Sequence, residues 1–237
     1  MRIGVRSLEK ELKARSSKEK AGIYARFFKT GKGYYGEGDV FLGPTVPEQR
    51  ETAKKYVNLP LKDVKKLLYS KYHEYRLTGL FILVYKYEKS TEMKRQKIVG
   101  FYLKHKSRSN NWDLIDCIAD KILGKHLLNK NKSILYKLAR SESLWDRRIS
   151  IITTFEFIKN GKFEDTKRIS GILLNDRHDL IHKAVGWMLR EMGKRDVNEL
   201  KGFLKKNYKN MPRTMLRYSI ERFSKKEQRG YLAGKHY

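Results

Sequence analysis

Through most of its 237 residues the chain repeats apolar side chains at the spacing of a helix face, and this limits it to stacked helices. Leu144, Ile151, Ile152, Phe155 and Ile158 mark one such face, and Ile181, Ala184, Val185, Met188 and Met192 another. Only four prolines occur, at 44, 47, 60 and 212, each placed as punctuation near a helix start. The pattern predicts helices over 17–29, 47–57, 61–69, 72–87, 91–105, 112–123, 131–140, 144–159, 163–174, 178–194, 196–206 and 212–223. Asp116, Arg148, Lys183 and Arg217 hold comparable places on successive inner helices, at steps of 32, 35 and 34 residues. A near-constant step of one helix pair is the signature of stacked helical hairpins with one extended inner face. The expectation is therefore one all-α repeat domain over 1–237. Thr30 to Pro47, with glycines at 31, 33, 36, 38 and 43 and no Gly-Lys-Ser/Thr ending, reads as a loop.

Charge narrows the partner. Lys and Arg number 54 against 26 Asp and Glu, a net +28 that folding does not require and that self-repulsion makes costly. A polyanion is the expected partner, and nucleic acid fits basic charge spread over many helices better than a membrane surface does. The longest apolar run, Thr78 to Tyr85, is far short of the roughly 20 residues of a spanning helix. Met1 through Arg15 alternates charged and apolar residues without the apolar stretch of a secretory signal, so the expected location is the cytoplasm. Cys117 is the single cysteine, which excludes an intrachain disulfide and a cysteine metal cluster. His178 and His182 lie four apart but without the glutamate of a metalloprotease helix, and are read as solvated or DNA-facing. No metal and no cofactor are expected.

Each tryptophan has a charged residue one turn away: Trp112 with Asp116, Trp145 with Arg148, Trp187 with Lys183 and Arg190. Lys183, Trp187, Arg190 and Lys194 form a basic and aromatic stripe apart from the apolar one, so one stripe can pack while the other faces DNA. A tryptophan on an amphipathic helix is commonly a packing residue, and Trp145 is read so. Trp112 and Trp187 share their faces with polar neighbours and are candidates for an aromatic wall beside a cationic base. Asp113, behind possible caps Asn110 and Asn111, fits a first-turn acid favoured by the helix dipole. Asp116 lies one turn deeper, where the dipole helps less, and a carboxylate on the Trp112 face repels phosphate, so its presence there points to a task.

Four motifs carry a resemblance. Phe41-Leu42-Gly43-Pro44-Thr45-Val46-Pro47-Glu48-Gln49-Arg50, Asn111-Trp112-Asp113-Leu114-Ile115-Asp116, Leu144-Trp145-Asp146-Arg147-Arg148 and Lys183-Ala184-Val185-Gly186-Trp187-Met188-Leu189-Arg190-Glu191 occur in order over about 17–223. Together they resemble the DNA alkylation repair family of HEAT-like-repeat alkylpurine DNA glycosylases. The resemblance implies a C-shaped solenoid with a concave basic face that holds duplex DNA and excises N3- or N7-alkylated purines by hydrolysis, leaving an abasic site. It implies Asp116 as the catalytic carboxylate, Trp112 and Trp187 as aromatics beside the lesion nucleotide, and Arg148 and Arg190 as holders of the DNA backbone. Phe27 stands where an edge aromatic is expected, without a hydroxyl. Lys183, Arg213 and Arg217 extend the expected phosphate-binding face, with solvated surface as the alternative for the last two. A monomer is expected, and the tail 224–237 resembles nothing specific. A noncatalytic nucleic-acid-binding repeat protein and a HEAT-type scaffold for acidic proteins are the rival readings.

Overall fold

The computed structural model describes residues 4–234. Among these the backbone is all-α, as the periodicity requires, with no strand beyond an isolated bridge between Val40 and Tyr72. The last residues of the tail, 235–237, lie outside the described residues. Packing gathers the chain into two compact units that divide between Ile118 and Ala119.

The first unit holds α1 (Val5–Ala14), α2 (Lys18–Phe27), α3 (Val46–Lys55), α4 (Leu61–Leu68), α5 (His73–Glu88), α6 (Glu92–His105), a 3-10 turn (Lys106–Arg108) and α7 (Trp112–Asp116). Its centre is α5, which is buried on every face from His73 to Val84 and packs against α3, α4, α6 and α7. That explains why its apolar run reads as continuous rather than as a stripe. Between α2 and α3 the glycine-rich stretch is a loop, with Gly33, Gly38 and Gly43 at positive φ.

The second unit holds a π-helical turn (Asp120–Gly124), α8 (Lys125–Leu127), α9 (Ser133–Ala139), α10 (Leu144–Lys159), α11 (Glu164–Ile172), α12 (Asp179–Arg195), α13 (Val197–Asn207), α14 (Arg213–Ser219) and α15 (Lys225–Leu232). Within it α10 packs on α12 and α12 on α14, while α9 and α11 pair with α10 and with each other. The apolar stripe of α12 is the core: Ile181, Ala184, Val185, Met188 and Met192 are fully buried. Gly186 lets α12 and α14 close on each other, because a Cβ there would stand 2.6 Å from the Met215 carbonyl oxygen and 2.5 Å from the Tyr218 Cβ. Gly186→Ala is expected to lower stability by about 1–3 kcal/mol, the cost of overpacking a tight core; an unchanged denaturation midpoint would show that α14 gives way freely.

Two expectations are corrected. The helix expected over 112–123 is broken: α7 ends at Asp116, and the path continues through Cys117 and Ile118 into the π turn. The lysine-rich N-terminal stretch and the tail, for which no helix was expected, carry α1 and α15. Leu8 and Leu12 bury one face of α1, and Ser224 with Glu227 forms a capping box at the start of α15.

Candidate functional site

In the first unit the sequence places Trp112 immediately after a capping residue. The Asn111 side chain accepts a hydrogen bond from the Trp112 backbone N–H at 2.8 Å and so fixes where α7 starts. The indole then stacks on Phe28, centroids 5.1 Å apart and planes at 25°. Phe28 stacks on Phe41 at 5.2 Å, and Phe41 on the His73 ring at 4.6 Å. Phe27 stands edge-on to Trp112 at 5.8 Å and is 62% exposed, at the rim. These rings enclose an open cleft of about 480 Å³, lined also by Ile23 and Tyr24 of α2, by Glu74 and Leu77 of α5, and by Asp113 and Cys117.

Beneath the rings lies a buried polar layer. The His73 ring bridges Asp39 (Nδ1 to Oδ2, 3.1 Å) and Asp113 (Nε2 to Oδ2, 2.8 Å). Arg76 donates to the other Asp39 oxygen at 2.5 Å, and the Asn111 amide donates to Asp39 at 3.3 Å. Burial alone would depress the His73 pKa, but Asp113 and Asp39 outweigh it and lift it to about 9, so the ring is an imidazolium at neutral pH. Burial pushes Asp39 up, and its bonds to His73, the Arg76 charge and Asn111 bring it below the usual carboxylate range. Glu74 stays above its ordinary value because burial dominates, although the backbone N–H groups of Leu42 and Gly43 bond to it. Asp113 is thus a partner of a buried cation, which corrects its reading as a first-turn acid serving only the helix dipole.

Asp116 is the last residue of α7, one turn beyond Trp112 on the same face, and is half-buried. Trp112, Phe27 and Asp116 are the expected site residues that fall in this unit.

The second unit holds the other six. Trp187 packs on Phe155, centroids 5.9 Å apart, and donates its indole N–H to Glu191 at 3.2 Å. Glu191 also receives Arg190 at 3.4 Å and Lys194 at 2.7 Å, so one carboxylate gathers the stripe. Arg190 further pairs with Glu221, and Lys183 with Asp179 at 2.6 Å. Arg148 is only 4% exposed and donates to the Leu180 carbonyl, which ties α10 to the start of α12. Arg213 donates to the Leu232 carbonyl, and Arg217 is exposed. His178 accepts the Leu180 N–H as the cap of α12 and His182 bonds the Asp176 carbonyl, both half-exposed at the helix start. Asp39, His73, Arg76 and Glu191 were not singled out in the sequence. The glutamate had a signal, lying four residues from Trp187 and three from Lys194, whereas the Asp39 and His73 pairing crosses the loop and had none.

The architecture is that of an all-α, strongly basic protein with an aromatic cleft lined by Trp112 and Asp113. The sequence model of the family described as DNA alkylation repair enzyme matches residues 8–223, and the chain belongs to that family. Among solved structures, a protein from Enterococcus faecalis described as a predicted DNA alkylation repair enzyme shares the fold with a TM-score of 0.72 at 16% identity, over 89% of this chain and 97% of that one. No curated protein matches the chain. No helix among the described residues is long and apolar enough to cross a membrane.

Proposed function

We propose that the chain is a monofunctional alkylpurine DNA glycosylase that hydrolyses the N-glycosidic bond of N3- or N7-alkylated purines in duplex DNA and leaves an abasic site. The observation that carries this reading is the pairing on α7 of Trp112, which lines an aromatic cleft, with Asp116 one turn further on, in a chain of net charge +28. Alkylation at N3 or N7 makes the purine a cation, so it leaves as a neutral base without a general acid. The sugar needs the help. As the bond stretches, the deoxyribose gains oxocarbenium character, which a carboxylate stabilises while it orients the attacking water. Asp116 takes that role, with Trp112 beside the lesion nucleotide and Phe27 at the edge; Trp187, on the second unit, is proposed as a further aromatic contact to the DNA.

Arg190, Lys183, Arg213 and Arg217 are the proposed phosphate ligands of a concave basic face. The serial packing of α10, α12 and α14 supports a HEAT-like stack of hairpins within the second unit as its scaffold. Lys183 is 42% exposed and paired with an exposed carboxylate, and such pairs are worth only about 0–1 kcal/mol, so a phosphate can capture the lysine. Arg148 acts from beneath, holding the start of α12 through Leu180. The protein works as a monomer without a cofactor, in the cytoplasm at the nucleoid if its source is prokaryotic.

The test is release of free base from duplex DNA carrying N7-methylguanine or N3-methyladenine, with the strand left intact until heat or base is added. Salt-sensitive DNA binding without base release would make the chain a noncatalytic binding protein on this scaffold. Strand breakage without added base would contradict simple hydrolysis.

A further inference from the structure

The end of α13 gathers like charge that nothing in the fold balances. Lys201 and Lys205 lie one turn apart, a rise of about 6 Å at 1.5 Å per residue, Lys206 follows in the last turn, and Lys209 stands just beyond the helix. Like charges at this spacing destabilise a helix, and its C-terminus offers them only about half a negative charge. Other lysines of the second unit are answered by carboxylates: Lys167 by Glu164 and Glu199, Lys183 by Asp179, Lys194 by Glu191. Here only Lys201 is, by Glu227 at 3.0 Å. Lys205, Lys206 and Lys209 are exposed and have no ion pair among the described residues.

The four lysines line one cavity of about 760 Å³, with Tyr208 and Tyr231 packed edge to face at its floor, centroids 5.4 Å apart. No carboxylate lines it, and neither does any residue of the basic and aromatic stripe of α12. The two rings are 7% and 4% exposed, so they offer no face on which a base could stack, and charge must do the recognising. The volume lies within the range of small-ligand sites, roughly 300–1,000 Å³, which suits a compact anion better than a duplex.

We propose that this cavity binds a small oligophosphate, a chain of linked phosphates either free or carried by a nucleoside. Such a chain brings several negative charges in one molecule to ammoniums that stand side by side, whereas a single phosphate meets too few of them. Lysine suits this task, because its three donors on a flexible stem follow phosphate oxygens wherever they lie. Occupancy relieves the mutual repulsion of the cluster, which explains charge that the fold does not require. The site is independent of base release, since it uses no residue of α7 or α12.

The probes are inorganic tripolyphosphate, adenosine triphosphate without metal, orthophosphate and a short undamaged duplex. Each is titrated into the full chain by calorimetry at about 0.15 M salt, where exposed charges farther apart than roughly 8 Å are largely screened. Tripolyphosphate is expected to saturate a single site and to bind about tenfold or more tightly than orthophosphate, as several screened ion pairs outweigh one. Lys205→Gln, Lys206→Gln and Lys209→Gln together are expected to weaken it by about tenfold, the combined contribution of three exposed pairs. Lys62→Gln, Lys94→Gln and Lys97→Gln remove the same charge from exposed positions of the first unit and are expected to leave it within about twofold. Tighter binding of adenosine triphosphate names a nucleotide as the source, and tighter binding of tripolyphosphate a free chain; either upholds the proposal. Equal weakening in the two triple variants, or orthophosphate binding as tightly as tripolyphosphate, overturns it. So does an absence of saturable tripolyphosphate binding while the first triple variant loses affinity for the duplex, which would make the cavity part of a DNA-binding surface.

Discussion

Asp116→Asn is expected to lower the single-turnover rate of base release by about a thousandfold while DNA affinity stays within a fewfold of wild type. A carboxylate about 4 Å from a developing oxocarbenium ion, at an effective dielectric of about 20, contributes on the order of 4 kcal/mol to the transition state, and each 1.4 kcal/mol or so is tenfold in rate. The ground state carries its positive charge on the purine rather than on the sugar, so most of this attraction arises only as the bond breaks. That places the loss in the chemical step. Removing a negative charge from a DNA-binding protein tightens nonspecific association slightly, so weaker binding would point to local misfolding instead. Asp113→Asn provides the contrast. Its carboxylate is bonded to His73 beneath the aromatic stack, so its loss is expected to appear first in stability. Unchanged base release in Asp116→Asn would remove that residue from the mechanism, and a loss confined to Asp113→Asn would transfer the role to the deeper carboxylate.

Both aspartates were visible in the sequence, but their difference was not. Helical spacing shows which residues share a face, and it located the stripe from Ile181 to Met192 and the pairing of Trp112 with Asp116, because both are local. It predicted a continuous helix through 112–123, since nothing at Cys117 or Ile118 opposes helix. The interruption is associated with tertiary packing: a Cβ at Gly124 would stand 2.8 Å from the Thr153 carbonyl oxygen, so the π turn fits closely against α10. The helix α15 could have been read from Ser224 and Glu227, a capping box at its start. The floor of the cleft could not. Asp39 lies in a glycine-rich loop, His73 at the start of α5 and Asp113 on α7, and only the folded chain brings them within 3.1 Å of one another through the imidazole. Long-range polar pairs leave no periodic trace, which is why the deepest part of the site was the least legible.

That layer also sets the pH range of the fold. His73 is 2% exposed and its pKa is lifted to about 9, mainly by Asp113 and Asp39 against the opposing effect of burial, whereas an ordinary histidine titrates near 6.5. A group whose folded pKa is raised contributes its full stabilisation below the unfolded value and loses it as pH rises through the folded one. His73 therefore stabilises the protein fully at about pH 6.5 and below, and the contribution drains away towards and through pH 9. His73→Leu is expected to cost about 3–5 kcal/mol at neutral pH, because Asp113 would be left buried without its cation and Asp39 with only Arg76 and Asn111. Denaturant midpoints measured across this range for both proteins isolate the term. Deprotonation of lysines at high pH relieves self-repulsion equally in the two, so it cancels in their difference. That difference should be largest at neutral and acidic pH and shrink as the wild-type imidazolium loses its proton. A pH-independent difference would mean that His73 is neutral in the fold and acts by packing against Phe41 alone.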